Sequence, residues 1–88
     1  MKIKEGFLLR EIANTFLLVP VAERVIDFKG IIVLNGVSPS IVEYMKEHRS
    51  REELLTYILD LYEIDEETAE RDLNKLLSQM ETSGVLIQ

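Results

Sequence analysis

The chain has 88 residues, 47% of them apolar and 30% charged, no cysteine, and a formal net charge of −6. That length predicts one small domain spanning 1–88, and the absence of cysteine excludes a disulfide framework, a thiolate metal site and a chain-borne iron–sulfur cluster. The longest apolar runs, Phe16–Ala22 and Ile31–Leu34, fall far short of the ~20 residues that span a bilayer. Basic residues near Met1 are followed by no long apolar segment, so no signal peptide is expected and a cytoplasmic setting is.

The first third reads as strands, over about 7–12, 16–21 and 28–34. Phe7-Leu8-Leu9-Arg10-Glu11-Ile12 alternates only partly, the pattern of a strand near a sheet edge. Ala13-Asn14-Thr15 is a turn-compatible spacer, because Asn tolerates the left-handed backbone of tight hairpins. Pro20 lacks a donor and belongs at a strand end or edge. The third strand leads from Asp27-Phe28 through Lys29-Gly30 to Leu34, and Asn35-Gly36 closes it.

Three helices follow, over about 39–48, 51–62 and 66–83. Ser38-Pro39 reads as an N-cap followed by proline at the first helical position. Ser50-Arg51-Glu52-Glu53 has capping-box spacing, and Leu54, Leu55, Ile58, Leu59 and Tyr62 form one apolar face behind it. Asp65 can cap the third helix, whose stripe is Ala69, Leu73, Leu76, Leu77 and Met80, with Gly84 as its stop. Val85-Leu86-Ile87 reads as a short tail docking on the core. The order gives an α+β, winged helix-turn-helix-like domain: a three-stranded antiparallel sheet followed by three helices.

Catalysis finds little support. His48 has no companion for a zinc site and reads as a cation at the end of the first helix. Asp60, Glu63, Asp65, Glu66 and Glu67 lack the spacing and glycine of a calcium loop. No Gly-rich phosphate loop is present, and no base partners the serines. No cofactor and no metal are therefore expected, and the chain is not expected to be an enzyme.

Charge separates the remaining classes. Residues 1–37 carry five Lys/Arg against four Asp/Glu, a net +1, whereas residues 38–88 carry five against twelve, a net −7. Such a half repels phosphate, and the third helix sets Arg71 and Lys75 against five acids between Asp65 and Met80. A winged-helix regulator bound to nucleic acid is thus disfavoured. A sheet edge that accepts an extended peptide fits better, with a strand-mediated dimerisation module as the other alternative.

The residues that favour this reading also form an ordered set. Gly6-Phe7-Leu8-Leu9-Arg10-Glu11-Ile12, Val19-Pro20-Val21, Asp27-Phe28-Lys29-Gly30-Ile31-Ile32-Val33-Leu34-Asn35, Ser50-Arg51-Glu52-Glu53-Leu54 and Tyr62 through Leu73, followed by Leu76, Leu77, Met80 and Gly84-Val85-Leu86, resemble the PqqD-like proteins. These are leader-peptide-binding chaperones of ribosomal peptide modification, also called RiPP recognition elements. Two segments depart from the family pattern: Gly36-Val37-Ser38-Pro39 after Leu34-Asn35, and Glu47-His48-Arg49 where an Asp-Gly turn is common.

The resemblance implies a non-catalytic adaptor whose partners are a precursor leader peptide and a separate modifying enzyme, commonly a radical SAM protein, with no nucleic acid and no membrane. Because exposed strand edges self-associate, a monomer or weak homodimer is expected. The leader would add along Gly30, Ile31, Ile32, Val33 and Leu34, and enter a groove formed with Asp72, Leu73, Lys75, Leu76, Gln79 and Met80 of the third helix. The acidic flank carries a further expectation, that the leader bears Lys or Arg beside its apolar anchors.

Overall fold

A computed structural model describes residues 1–21 and 31–88. The chain order is β1 (Lys2–Ile3), β2 (Phe7–Ile12), β3 (Thr15–Pro20), β4 (Ile32–Leu34), α1 (Ser38–Tyr44), α2 (Arg51–Leu61), α3 (Glu66–Ser83) and β5 (Leu86–Ile87). Strands β2, β3 and β4 form an antiparallel sheet in that order, followed by the three helices, and β1 pairs with β5 in a separate two-stranded ribbon. The fold is the α+β, winged-helix-like arrangement read from the sequence.

The hairpin between β2 and β3 is tighter than the sequence implies. Ile12 pairs directly with Thr15, so only Ala13 and Asn14 form the loop. Their φ angles are +51° and +65°, the two left-handed residues of a type I′ turn, whose twist matches that of the flanking strands. Asn adopts this conformation readily, whereas Ala at such a position is strained by about 1–2 kcal/mol.

The helix starts follow local chemistry. The Ser50 hydroxyl accepts from the Glu53 N–H at 3.0 Å while the Glu53 carboxylate accepts from the Ser50 N–H at 2.8 Å, completing a capping box for α2. The Asp65 carboxylate accepts from the Thr68 N–H at 2.7 Å to cap α3. The start of α1 departs from expectation. Ser38 is its first helical residue and not its cap, because the Ser38 N–H donates to the Asn35 carbonyl at 3.0 Å and closes a turn through Gly36, at φ +58°.

Helix α1 also ends at Tyr44, short of the expected 48. A continuing helix would have the Met45 carbonyl accept from the Arg49 N–H. Instead that carbonyl accepts from the Ile3 N–H at 2.9 Å, and the Arg49 N–H donates to the Met1 carbonyl at 2.9 Å. Pairing with the first strand therefore stops the helix and leaves His48 exposed beyond its end. Arg49 stabilises this corner. Its Nε donates to the Tyr44 carbonyl at 3.1 Å, and its guanidinium lies 3.9 Å from the Tyr44 ring, which stacks on Tyr57 at 3.9 Å.

The core lies between the inner sheet face and the helices. Leu18, Ile32 and Leu34 face Ile41, Met45, Leu54, Ile58, Leu73, Leu76 and Met80, each such side chain contributing about 1.5–3 kcal/mol on burial. At the end of α3, Gly84 adopts φ +78° and the Val85 N–H returns to the Met80 carbonyl at 3.0 Å. That turn buries Val85 completely and carries Leu86–Ile87 into pairing with β1, so the expected apolar tail becomes a strand. The described part of the third strand is Ile32–Leu34. Ile31, expected within it, precedes that stretch, and residues 28–30 of the expected strand lie outside the described residues.

Two outcomes test these local arguments. Ala13→Asn relieves the left-handed strain and is expected to raise stability by about 0.5–1 kcal/mol in denaturant titration; a loss would contradict the turn assignment. Hydrogen bonding by Ser50 holds the Glu53 carboxyl below its ordinary range, and hydrogen bonding by Thr68 does the same for Asp65. A carboxyl depressed in the folded state stabilises at neutral pH, and that contribution is lost as pH falls below the usual value of about 4. The double variant Glu53→Gln, Asp65→Asn keeps both caps. Its melting temperature at neutral pH should lie modestly below that of the parent, by the stabilisation the two carboxylates supply, and should fall less steeply in acid. An unchanged acid slope would show that these caps do not carry the pH dependence.

Candidate peptide-binding site

The alternation of hydrogen bonds across the sheet decides which groups β4 leaves open. In a two-residue hairpin the residues flanking the loop exchange both backbone hydrogen bonds, and pairs then alternate along the strands. Ile12–Thr15, Arg10–Leu17 and Leu8–Val19 are therefore the bonded pairs between β2 and β3. The Val21 N–H, which donates to the Gly6 carbonyl at 2.8 Å, continues this series. Phe16 and Leu18 must then turn their backbone groups toward β4, where they pair with Leu34 and Ile32. Val33, between those two, directs its N–H and C=O away from β3, toward the other edge of β4. No described strand pairs with that edge.

Side chains alternate in the opposite sense. Ile32 and Leu34 are buried, with Phe7, Leu9, Phe16 and Leu18 on the same inner face, whereas Val33 is 46% exposed. β4 is thus held to the core by two side chains and to β3 by the backbone of the same two residues. Among the described residues, the donor and acceptor of the residue between them have no strand partner.

Beside this edge lies a cleft of about 200 Å³. One wall is the face of α3 formed by Asp72, Lys75, Leu76 and Gln79, at helical spacing. The other is Val33 with the turn Asn35-Gly36-Val37-Ser38. Leu76 is 2% exposed and gives the cleft an apolar floor, while Lys75 and Gln79 are exposed at its rim and Asp72 is half-buried.

The structure thus brings together Val33, Asp72, Lys75, Leu76 and Gln79 from the residues picked out in the sequence. Leu73 and Met80 are fully buried: they fix α3 from beneath and do not line the cleft. Ile32 and Leu34 likewise face the core, so neither side chain is available to a ligand. Ile31 is exposed just before β4, and Gly30 lies outside the described residues. Asn35, Gly36, Val37 and Ser38 were not among the expected site residues. The Asn-Gly turn signal marked them, but it read only as the end of a strand.

The surroundings bear on other ligands. On α3, the Asn74 side-chain oxygen accepts from Arg51 at 2.6 and 3.2 Å, so this amide is tied to α2 and not free to read a base. Among the described residues, no group of three or more His, Asp or Glu is placed to hold a metal ion, and no helix is long and apolar enough to cross a membrane.

Comparison with known proteins agrees with this architecture. A solved structure, TbiB1 in complex with the TbiA(beta) leader peptide, superposes with a TM-score of 0.72 at 24% identity, covering 98% of this chain and 94% of that one. The likeness establishes a shared fold. No curated protein matches the sequence significantly. The family model for coenzyme PQQ synthesis protein D matches residues 11–86, nearly the whole span from the first hairpin strand to the final ribbon. The chain belongs to the PqqD family.

Proposed function

We propose that this chain is a non-catalytic adaptor that binds the leader of a ribosomally synthesised precursor peptide and presents it to a separate modifying enzyme, a radical SAM protein. The observation that carries this reading is the open edge of β4 at Val33 beside a cleft with an apolar floor. An extended peptide satisfies the Val33 N–H and C=O by adding as a strand, and its inward side chains meet Leu76 between Asp72, Lys75 and Gln79. Family membership supports the reading, as does the fold shared with TbiB1, a protein whose structure holds a leader peptide.

The unit that binds is residues 1–88 as one domain, acting in the cytoplasm where a precursor is made. Its contribution to the chemistry is effective concentration: a leader held on the adaptor makes the encounter of precursor and enzyme nearly intramolecular. The favoured leader carries Lys or Arg beside its apolar anchors. Within the cleft Lys75 offsets Asp72, so this preference arises from the wider field of the acidic helical half.

Val33→Pro removes the outward donor without touching the bonds of Ile32 and Leu34 to β3. Leader affinity, measured by titration with the leader encoded near this gene, should fall at least about tenfold, a cost near 1.4 kcal/mol, with the helical circular dichroism retained. Equal affinity in a folded variant would sink strand addition at this edge. Raising salt should weaken wild-type binding; a salt-independent affinity would remove the basic-leader preference and leave strand addition standing.

A further inference from the structure

The outer face of the sheet is a second, separate surface. Arg10, Leu17 and Val33 stand opposite one another across β2, β3 and β4 and form a row about 10 Å long at the usual strand spacing. Leu8 and Val19 lie in the adjoining row on one side, and Ile12 and Thr15 on the other. Leu8, Ile12 and Val33 are exposed, and Leu17 and Val19 are half-buried. Among the described residues this face carries no carboxylate, and no acid pairs with Arg10. An apolar patch of this kind marks an interaction surface, and arginine, here on its β2 side, is among the residue types enriched at the energetic centres of such surfaces.

We propose that this face docks the modifying enzyme, through an apolar surface on that enzyme bearing a carboxylate opposite Arg10. The inference rests on the adaptor reading above and, apart from Val33 at the shared border, uses residues outside the cleft. Charge favours this occupant. The face is the cationic, apolar side of a chain whose helical half is net −7, so an acidic partner is repelled from the helices and steered to the sheet. A second copy packed face to face with β2 over β2 would set Arg10 against Arg10, which opposes that arrangement. The face also continues into the binding edge. A strand added at β4 places the residue opposite Val33 with its side chain on the same outer face, so an enzyme seated there lies against the bound leader.

The test uses the full chain, its leader and the modifying enzyme encoded beside it, with Arg10→Glu and Leu8→Ser as separate variants. Titration of the enzyme onto the leader-loaded protein should show a loss of affinity of about tenfold or more in each variant, while leader affinity stays within about twofold. Enzyme affinity unchanged in both folded variants would overturn the proposal. So would a wild-type protein that sediments as a dimer and dissociates on Arg10→Glu, because a second copy would then occupy the face. If the enzyme binds and both variants weaken it while no leader binds even the wild type, the docking face stands and the adaptor reading fails.

Discussion

Three residues of β4 carry two demands at once, and the rest of the structure follows from how they divide them. Ile32 and Leu34 send their side chains into the core and their backbone groups to β3. The pleat then requires Val33 to do the reverse, with an exposed side chain and a backbone donor and acceptor turned outward. The two-residue turn at Ala13–Asn14 sets this register from the far side of the sheet, because a one-residue slip would exchange the two roles. An edge of this kind is a hazard in most proteins. Here it faces a cleft whose floor is apolar, which makes it a place where an extended peptide gains both backbone and side-chain contacts.

The helices make that cleft a fixed shape. Leu73 and Met80, both fully buried, anchor α3 in the shared core, and Leu76 between them reaches the cleft. The Asp65 cap and the Gly84 turn fix the two ends of the helix, and Arg51 ties its middle to α2 through Asn74. The charge asymmetry has a structural counterpart as well. The acidic residues concentrate on the helices, whereas among the described residues the outer sheet face has Arg10 amid apolar side chains. Two surfaces of different chemistry therefore meet along β4.

Much of this was legible in the sequence where the determining chemistry is local. Ser50 with Glu53, and Asp65 with Thr68, mark helix starts within four residues of chain. The stripe Ala69, Leu73, Leu76, Leu77 and Met80 specifies which face of α3 is buried, and the mixed pattern of Phe7–Ile12 marks β2 as an edge strand. What could not be read depends on contacts between distant segments. The end of α1 at Tyr44 is set by Ile3 taking the Met45 carbonyl, and the last strand exists because Lys2–Ile3 lies beside it. In the site, the resemblance to the family and the apolar stripe of the third helix grouped Ile32, Leu34, Leu73 and Met80 with Val33 and Leu76. Only the register separates those that support the cleft from those that face it. The cleft wall at Asn35–Ser38 was hidden for the same reason, since a turn signal does not say what the turn lies against.

The central claim is that the backbone of Val33 is open in the free protein and paired when a leader is bound. Amide hydrogen exchange read residue by residue, with and without the leader, tests it most directly. In the free protein the Ile32 and Leu34 amides should already be protected and the Val33 amide should exchange freely. Adding leader should slow Val33 by an order of magnitude or more. A Val33 amide as protected as its neighbours in the free protein, or one that leader binding leaves unchanged, would contradict the account.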